Sequence, residues 1–137
     1  MNDFQKIKES FDRQGLMKTL GASLKSVESG KVTITVPFQD SLTQQHGYFH
    51  AGVLTSIVDS ACGYAALTTA PDEHEVLSVE FKINFLKPAS AKHLIAIGQV
   101  IQSGQRLTIC EGTVYNETME KILAKMMATI IAVKITG

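Results

Sequence analysis

The sequence predicts one α+β domain, an antiparallel sheet of about five to six strands wrapped around one long central helix, with a short N-terminal helix. Three observations lead there. Residues 51–70 form one stretch that is apolar almost throughout. From residue 76 onward the chain carries strand patterning interrupted by turn residues. The 137 residues, 45% apolar and 19% charged, fit a single domain over 1–137 that is large enough to bury a core.

Phe4, Ile7 and Phe11 fall on one helical face between polar residues, and Gly15 stands where a C-terminal cap belongs. Residues 3–14 therefore read as a short amphipathic helix. "ASLKSVE" and "KVTITVPF" alternate apolar and polar residues about Ser29-Gly30, which is a hairpin signal. Residues 39–49 are polar and without periodicity, so they read as a loop. The apolar helix follows over 52–69. Val53, Leu54, Ile57, Val58, Ala61, Cys62, Ala65, Ala66 and Leu67 surround it, which predicts burial on most sides. Its small residues (Ser60, Ala61, Gly63, Ala65, Ala66) allow close approach of a sheet or of a second copy of the helix. Beyond it, "VLSVEFKINFL" ends at Pro88, "HLIAIGQVIQ" reaches a turn at Ser103-Gly104, and "RLTICEGTVYN" reaches another near Glu117-Thr118. The final "KILAKMMATIIAVKI" could pass for a helix by composition, but its Thr/Ile/Val-rich end favours a strand.

Thirteen basic residues balance thirteen acidic ones, so the net charge is zero, which argues against a nucleic-acid surface. The charged N-terminus lacks the continuous apolar core of a signal peptide. Residues 51–70 are long enough to span a membrane, yet Thr55, Ser56, Asp59, Ser60, Thr68 and Thr69 make them polar for one. Cys62 and Cys110 lie in apolar stretches and suggest neither a disulfide framework nor a zinc site. A soluble cytoplasmic protein is expected, with no nucleic-acid or membrane partner.

Chemistry concentrates on the long helix. Asp59 is the one formal charge between Ala51 and Pro71. An ionised carboxylate taken out of water without partners costs at least several kcal/mol, so either a structural partner or a reaction must offset it. The helix start, "HAG" at 50–52, leaves backbone N–H groups without intrahelical partners, a site suited to an anion or a polarised carbonyl oxygen. Such donors stabilise the oxyanion of acyl transfer, while Asp59 is a potential general base or nucleophile. Gly52 and Asp59 are seven residues apart, about 10 Å along the axis at 1.5 Å per residue. Donor and acid must meet within about 3–3.5 Å of the reacting atoms, so one helix cannot supply both to one substrate. If both are catalytic, the site joins two chains, and a two-fold dimer is expected.

Plainer readings stand beside these. Asp59 could be satisfied by backbone N–H or hydroxyl groups, and His50 could be a helix-entry residue bonded to backbone. His46 and His50 form an HxxxH spacing that could hold a metal with Asp59, although no further ligand is evident. Cys62 with His50 as a nucleophilic pair lacks any sign of an exposed thiolate.

"LTQQHGYFHAGVLTSIVDSACGYAA" followed by "LSVEFKINFLKPA" resembles the hotdog-fold acyl-CoA thioesterases of the phenylacetyl-CoA thioesterase (PaaI-like) family, over about residues 20–133. The resemblance implies a hotdog fold, hydrolysis of an acyl-CoA to free acid and CoA without metal or redox cofactor, and a site shared across a homodimer or a dimer of dimers. The family's His-Gly-Gly turn corresponds to His50-Ala51-Gly52 and its acid to Asp59. Gln44 matches the Asn or Gln near the substrate carbonyl, and Ser78 the Ser or Thr of the following strand. Ala51 replaces the first Gly, which preserves a backbone N–H donor provided φ there is negative. Two rivals remain: a hotdog hydratase or dehydratase using His50 with Asp59, and a non-catalytic acyl-CoA-binding protein.

Overall fold

The strand patterning becomes one antiparallel sheet in the computed structural model, which describes residues 3–135. Its strands are β1 (Ser23–Glu28), β2 (Lys31–Pro37), β3 (His74–Phe85), β4 (His93–Ser103), β5 (Leu107–Tyr115) and β6 (Ile122–Lys134). Their spatial order is β1-β2-β4-β5-β6-β3, so the hotdog arrangement expected from the sequence is present with six strands. The first hairpin turns at Gly30, whose φ of 74° lies in the left-handed region that a side chain disfavours. The C-terminal segment is a strand, as its β-branched end predicts: Ile130, Ile131 and Val133 pair along β3, and Ile130 and Ile131 along β5 as well.

The long helix, α3 (Ala51–Thr69), packs on one face of the sheet, chiefly against β4, β2 and β5. Gly98 in β4 pairs with Gly112 in β5, and together they form a depression under the helix. A Cβ on Gly98 would lie 2.4 Å from the backbone of Ala61 and Cys62, so the helix backbone rests directly on the sheet there. By length and composition α3 could cross a membrane, but here it buries Val53, Leu54, Ile57, Val58, Ala61, Cys62, Tyr64 and three further residues in the core.

The helix is buried on most sides, as expected, and open along one face. Gly52, Thr55, Ser56, Asp59, Ser60 and Gly63 recur at three- and four-residue spacing and form a stripe that the sheet leaves uncovered. Hydroxyls and glycines carry this polar face, so hydropathy alone hides it.

The short N-terminal helix expected over 3–14 is present as α1 (Asp3–Asp12), but a second helix that was not expected, α2 (Gly15–Leu20), follows it. Gly15 opens α2 and caps nothing, and the left-handed cap falls at Gly21, with φ 71°. Met17 and Leu20 are buried with Ile7 and Phe11, so the second helix adds two anchors to the core, while Phe4 stays exposed.

β3 is an edge strand, paired only with β6 among the described residues. Leu77, Val79, Phe81 and Phe85 on it are 43–60% exposed, an apolar edge of the kind that soluble chains normally cover.

Candidate active site

The loop before α3 is tied down at several points. Thr43 bridges Phe49, the His50 N–H donates to the Leu42 carbonyl (2.9 Å), and the Phe49 N–H to that of Ala89 (3.1 Å). His50 then serves as the N-cap, in extended backbone at φ −64°, ψ 138°. Its Nδ1 accepts the Gly52 N–H at 2.7 Å, which requires the tautomer with the proton on Nε2. The helix-entry reading of His50 is thus realised. It also explains Gly52, where a Cβ would come within 2.9 Å of that Nδ1. The Gly52 N–H is therefore engaged, and the Val53 N–H donates to the His50 carbonyl. The Ala51 N–H has no partner among the described residues, and Ala51 keeps a negative φ. Of the two donors expected from "HAG", the free one is Ala51.

Gln44 sits beside it. Its Oε1 accepts the N–H groups of His46 (2.6 Å) and Tyr48 (3.2 Å), which fixes the amide and leaves Nε2 as a donor. Gln44 and Ala51 line one cavity of about 330 Å³ with Tyr48, Leu54, Phe85 and Lys87.

Asp59 faces a different space. It is half-buried on the open stripe, and its Oδ1 accepts the Ser78 hydroxyl at 2.7 Å from β3. The sheet order brings this about, because β3 lies at the far edge beside β6 and a bulge between Ser78 and Glu80 interrupts that pairing. Asp59, Ser60, Gly63, Tyr64, Val76 and Ser78 border a cavity of about 400 Å³. The structure therefore joins Asp59 to Ser78 and Ala51 to Gln44, and the eight residues from Ala51 to Asp59 keep the pairs about 12 Å apart along α3. His50 and Gly52 open onto a third cavity with Thr43 and Ser56.

Sequence reasoning passed over the far wall of the Asp59 cavity. The buried Tyr64 hydroxyl accepts from Gln14 Nε2 (2.8 Å) and lies 3.1 Å from Ser10 Oγ. A tyrosine inside so apolar a helix was itself a signal, because a buried phenol needs a polar partner. Both thiols are buried. Desolvation, with smaller pushes from Cys110, Asp59 and Glu111 nearby, raises Cys62 far above the ordinary thiol range, and burial raises Cys110 to about 11. Neither is a ready nucleophile. Among the described residues, no three His, Cys, Asp or Glu side chains gather as a metal site, including His46, His50 and Asp59.

The chain is similar to known proteins in sequence and fold. The pattern of the Thioesterase superfamily matches residues 46–123. A thioesterase family protein from Silicibacter pomeroyi is 40% identical, with 98% of this chain and 100% of that one covered and a TM-score of 0.93. The 1,4-dihydroxy-2-naphthoyl-CoA hydrolase of Listeria monocytogenes is 28% identical over 88% of this chain and 97% of that protein. The PaaI protein from the phenylacetic acid degradation operon of E. coli has the same fold, at 23% identity, TM-score 0.87, and coverage of 98% and 94%.

Proposed function

The chain belongs to the thioesterase superfamily and is a thioester hydrolase, and from that premise we propose that it cleaves an acyl-CoA to a free carboxylic acid and CoA at a site built from two copies of itself. The observation that carries this reading is the split along α3: a free donor at Ala51 with Gln44 in one cavity, and an acid held by Ser78 in another. Neither half suffices alone, since about 12 Å separates Ala51 from Asp59 along the helix and chemistry needs contact distances. The exposed apolar edge of β3, which carries Ser78, supports a second copy covering that side.

In this mechanism the Ala51 N–H, at the positive end of the helix dipole, polarises the thioester carbonyl and stabilises the oxyanion. Gln44 Nε2 donates to the same oxygen or to the water. Asp59 of the partner subunit either takes the proton from a water that attacks the carbonyl carbon, or attacks it directly to give an anhydride that water opens. In both routes the C–S bond breaks and CoA leaves as the thiol. Ser78 orients the carboxylate through Oδ1, leaving Oδ2 for the reaction. His50 holds the turn through Gly52, so its part is positioning. None of these steps draws on a metal or redox cofactor.

Asp59→Asn tests this. Thiol release from acyl-CoA should fall at least about a hundredfold, the scale of a lost general base, in a protein that keeps its fold and assembly. Near-normal turnover would return Asp59 to a structural role. Acyl-CoA consumed without thiol release would favour a hydratase, and binding without turnover would favour a non-catalytic acyl-CoA-binding protein.

A further inference from the structure

Glycine in a helix interior is unfavourable relative to alanine, because it adds backbone freedom to the unfolded chain and contributes no side chain to packing. Gly63 lies in the interior of α3, four residues after Asp59. The other glycines at the helix–sheet contact have steric reasons. A Cβ on Gly98 or Gly112 would come within 2.4 Å of the helix, and one on Gly52 would approach the His50 ring. At Gly63 a Cβ would meet no atom within 4 Å. Nothing in the packing of this chain requires the glycine. What it borders is the Asp59 cavity, whose wall continues through Leu67, Val76 and Leu77 to the Tyr64 hydroxyl tied by Gln14.

We propose that this cavity receives the acyl group and that Gly63 sets how large an acyl group it admits. The inference rests on the acyl-thioester reading above. With the thioester carbonyl held beside Asp59, the acyl tail enters the cavity that Asp59 borders, whose wall runs along the stripe of α3 to Gly63. Four residues at 1.5 Å each place Gly63 about 6 Å beyond the acid along the axis. A side chain there would stand in the path of any tail longer than a few carbons and leave shorter ones clear of it. The pocket is apolar along Leu67, Val76 and Leu77, which suits a hydrocarbon or aromatic acyl group.

The test measures kcat/KM for acetyl-, butyryl-, hexanoyl-, octanoyl- and phenylacetyl-CoA with wild type, Gly63→Ala and Gly63→Leu. The expected result is a fall of about tenfold or more in the octanoyl-to-acetyl ratio for Gly63→Leu, within the roughly 10–200-fold that a misfitted methylene costs in an apolar pocket. Gly63→Ala should show a smaller fall in the same direction and melt no lower than wild type, which keeps the proposal testable should the leucine variant fold poorly. A uniform loss across the panel would overturn it. So would a change in assembly on size-exclusion chromatography with light scattering while the ratio holds, since Gly63 would then be a contact between copies. If wild type releases thiol from none of these CoA thioesters but does so from N-acetylcysteamine thioesters of the same acids, the acyl-CoA reading has failed. The ratios on those simpler thioesters then decide Gly63 on their own.

Discussion

Two inactive variants should restore each other if each site draws on two chains. The perturbations are Asp59→Ala, which removes the acid, and Ala51→Pro, which removes one donor. Proline suits this position for reasons visible in the structure. The first helical residue has no intrahelical bond to lose, and the Ala51 N–H has no other partner among the described residues. The preceding residue, His50, already holds φ −64° and ψ 138°, the extended region that a following proline imposes. Loss of one oxyanion donor costs about 10²–10³ in rate and loss of a general base about 10²–10⁴, so each parent should retain about 1% or less. When equal amounts are unfolded and refolded together, random pairing makes about half of the dimers mixed. In each mixed dimer one site inherits both defects. The other combines an intact Asp59 with an intact helix start from the partner. Half of the sites in half of the dimers gives a return of about a quarter of wild-type activity, at least about 25-fold above either parent. Thiol release from acyl-CoA, followed with a chromogenic thiol reagent, reads this directly, because the protein's own Cys62 and Cys110 are buried. A mixture no more active than its parents would refute the shared site, provided differently tagged chains show that mixed dimers formed and circular dichroism shows that Ala51→Pro is folded.

Ser78→Ala removes the hydroxyl that holds Asp59 Oδ1 at 2.7 Å; kcat should fall about tenfold, the rate equivalent of ~1.5 kcal/mol for a hydrogen bond to a charged group, with little change in KM. Unchanged steady-state kinetics would remove Ser78 from the site. Gly98→Ala would place a Cβ 2.4 Å from the α3 backbone, so thermal melting should show a loss of about 1–3 kcal/mol or more, and an unaltered melting temperature would mean that the helix does not rest on the sheet as described. The native protein should resist thiol reagents that label both cysteines in urea. Burial raises both thiol pKa values above the ordinary 9.0, Cys110 to about 11, so the neutral thiols contribute stability fully present below pH 9 and progressively lost above it. Urea midpoints at pH 8 and pH 10 should show that loss, smaller in Cys110→Ala; an equal loss in the variant would assign it to other groups.

Much of this was legible because it is local. Alternation about Ser29-Gly30 marks the first hairpin, the β-branched end of the last segment marks a strand, and a long, mostly apolar run marks the central helix. Each depends on side-chain period within a dozen residues, which the backbone geometry of strand and helix dictates. The lone Asp59, the "HAG" helix start and the seven-residue spacing from Gly52 to Asp59 are equally local, and helix rise alone turns that spacing into a distance.

Contacts between distant segments decided the rest. That a second helix follows α1 depended on which side chains the core could take, and it buries Met17 and Leu20 there. Which backbone donor stays free depended on the His50 ring turning back onto Gly52. Asp59 escaped full burial because the sheet covers only one side of α3, and its serine partner arrived because β3 runs at the far edge beside β6. The sequence by itself determined the elements and the chemical groups, since periodicity and residue type act within a turn or two. The tertiary structure alone decided their neighbours, because packing joins residues that no local pattern relates.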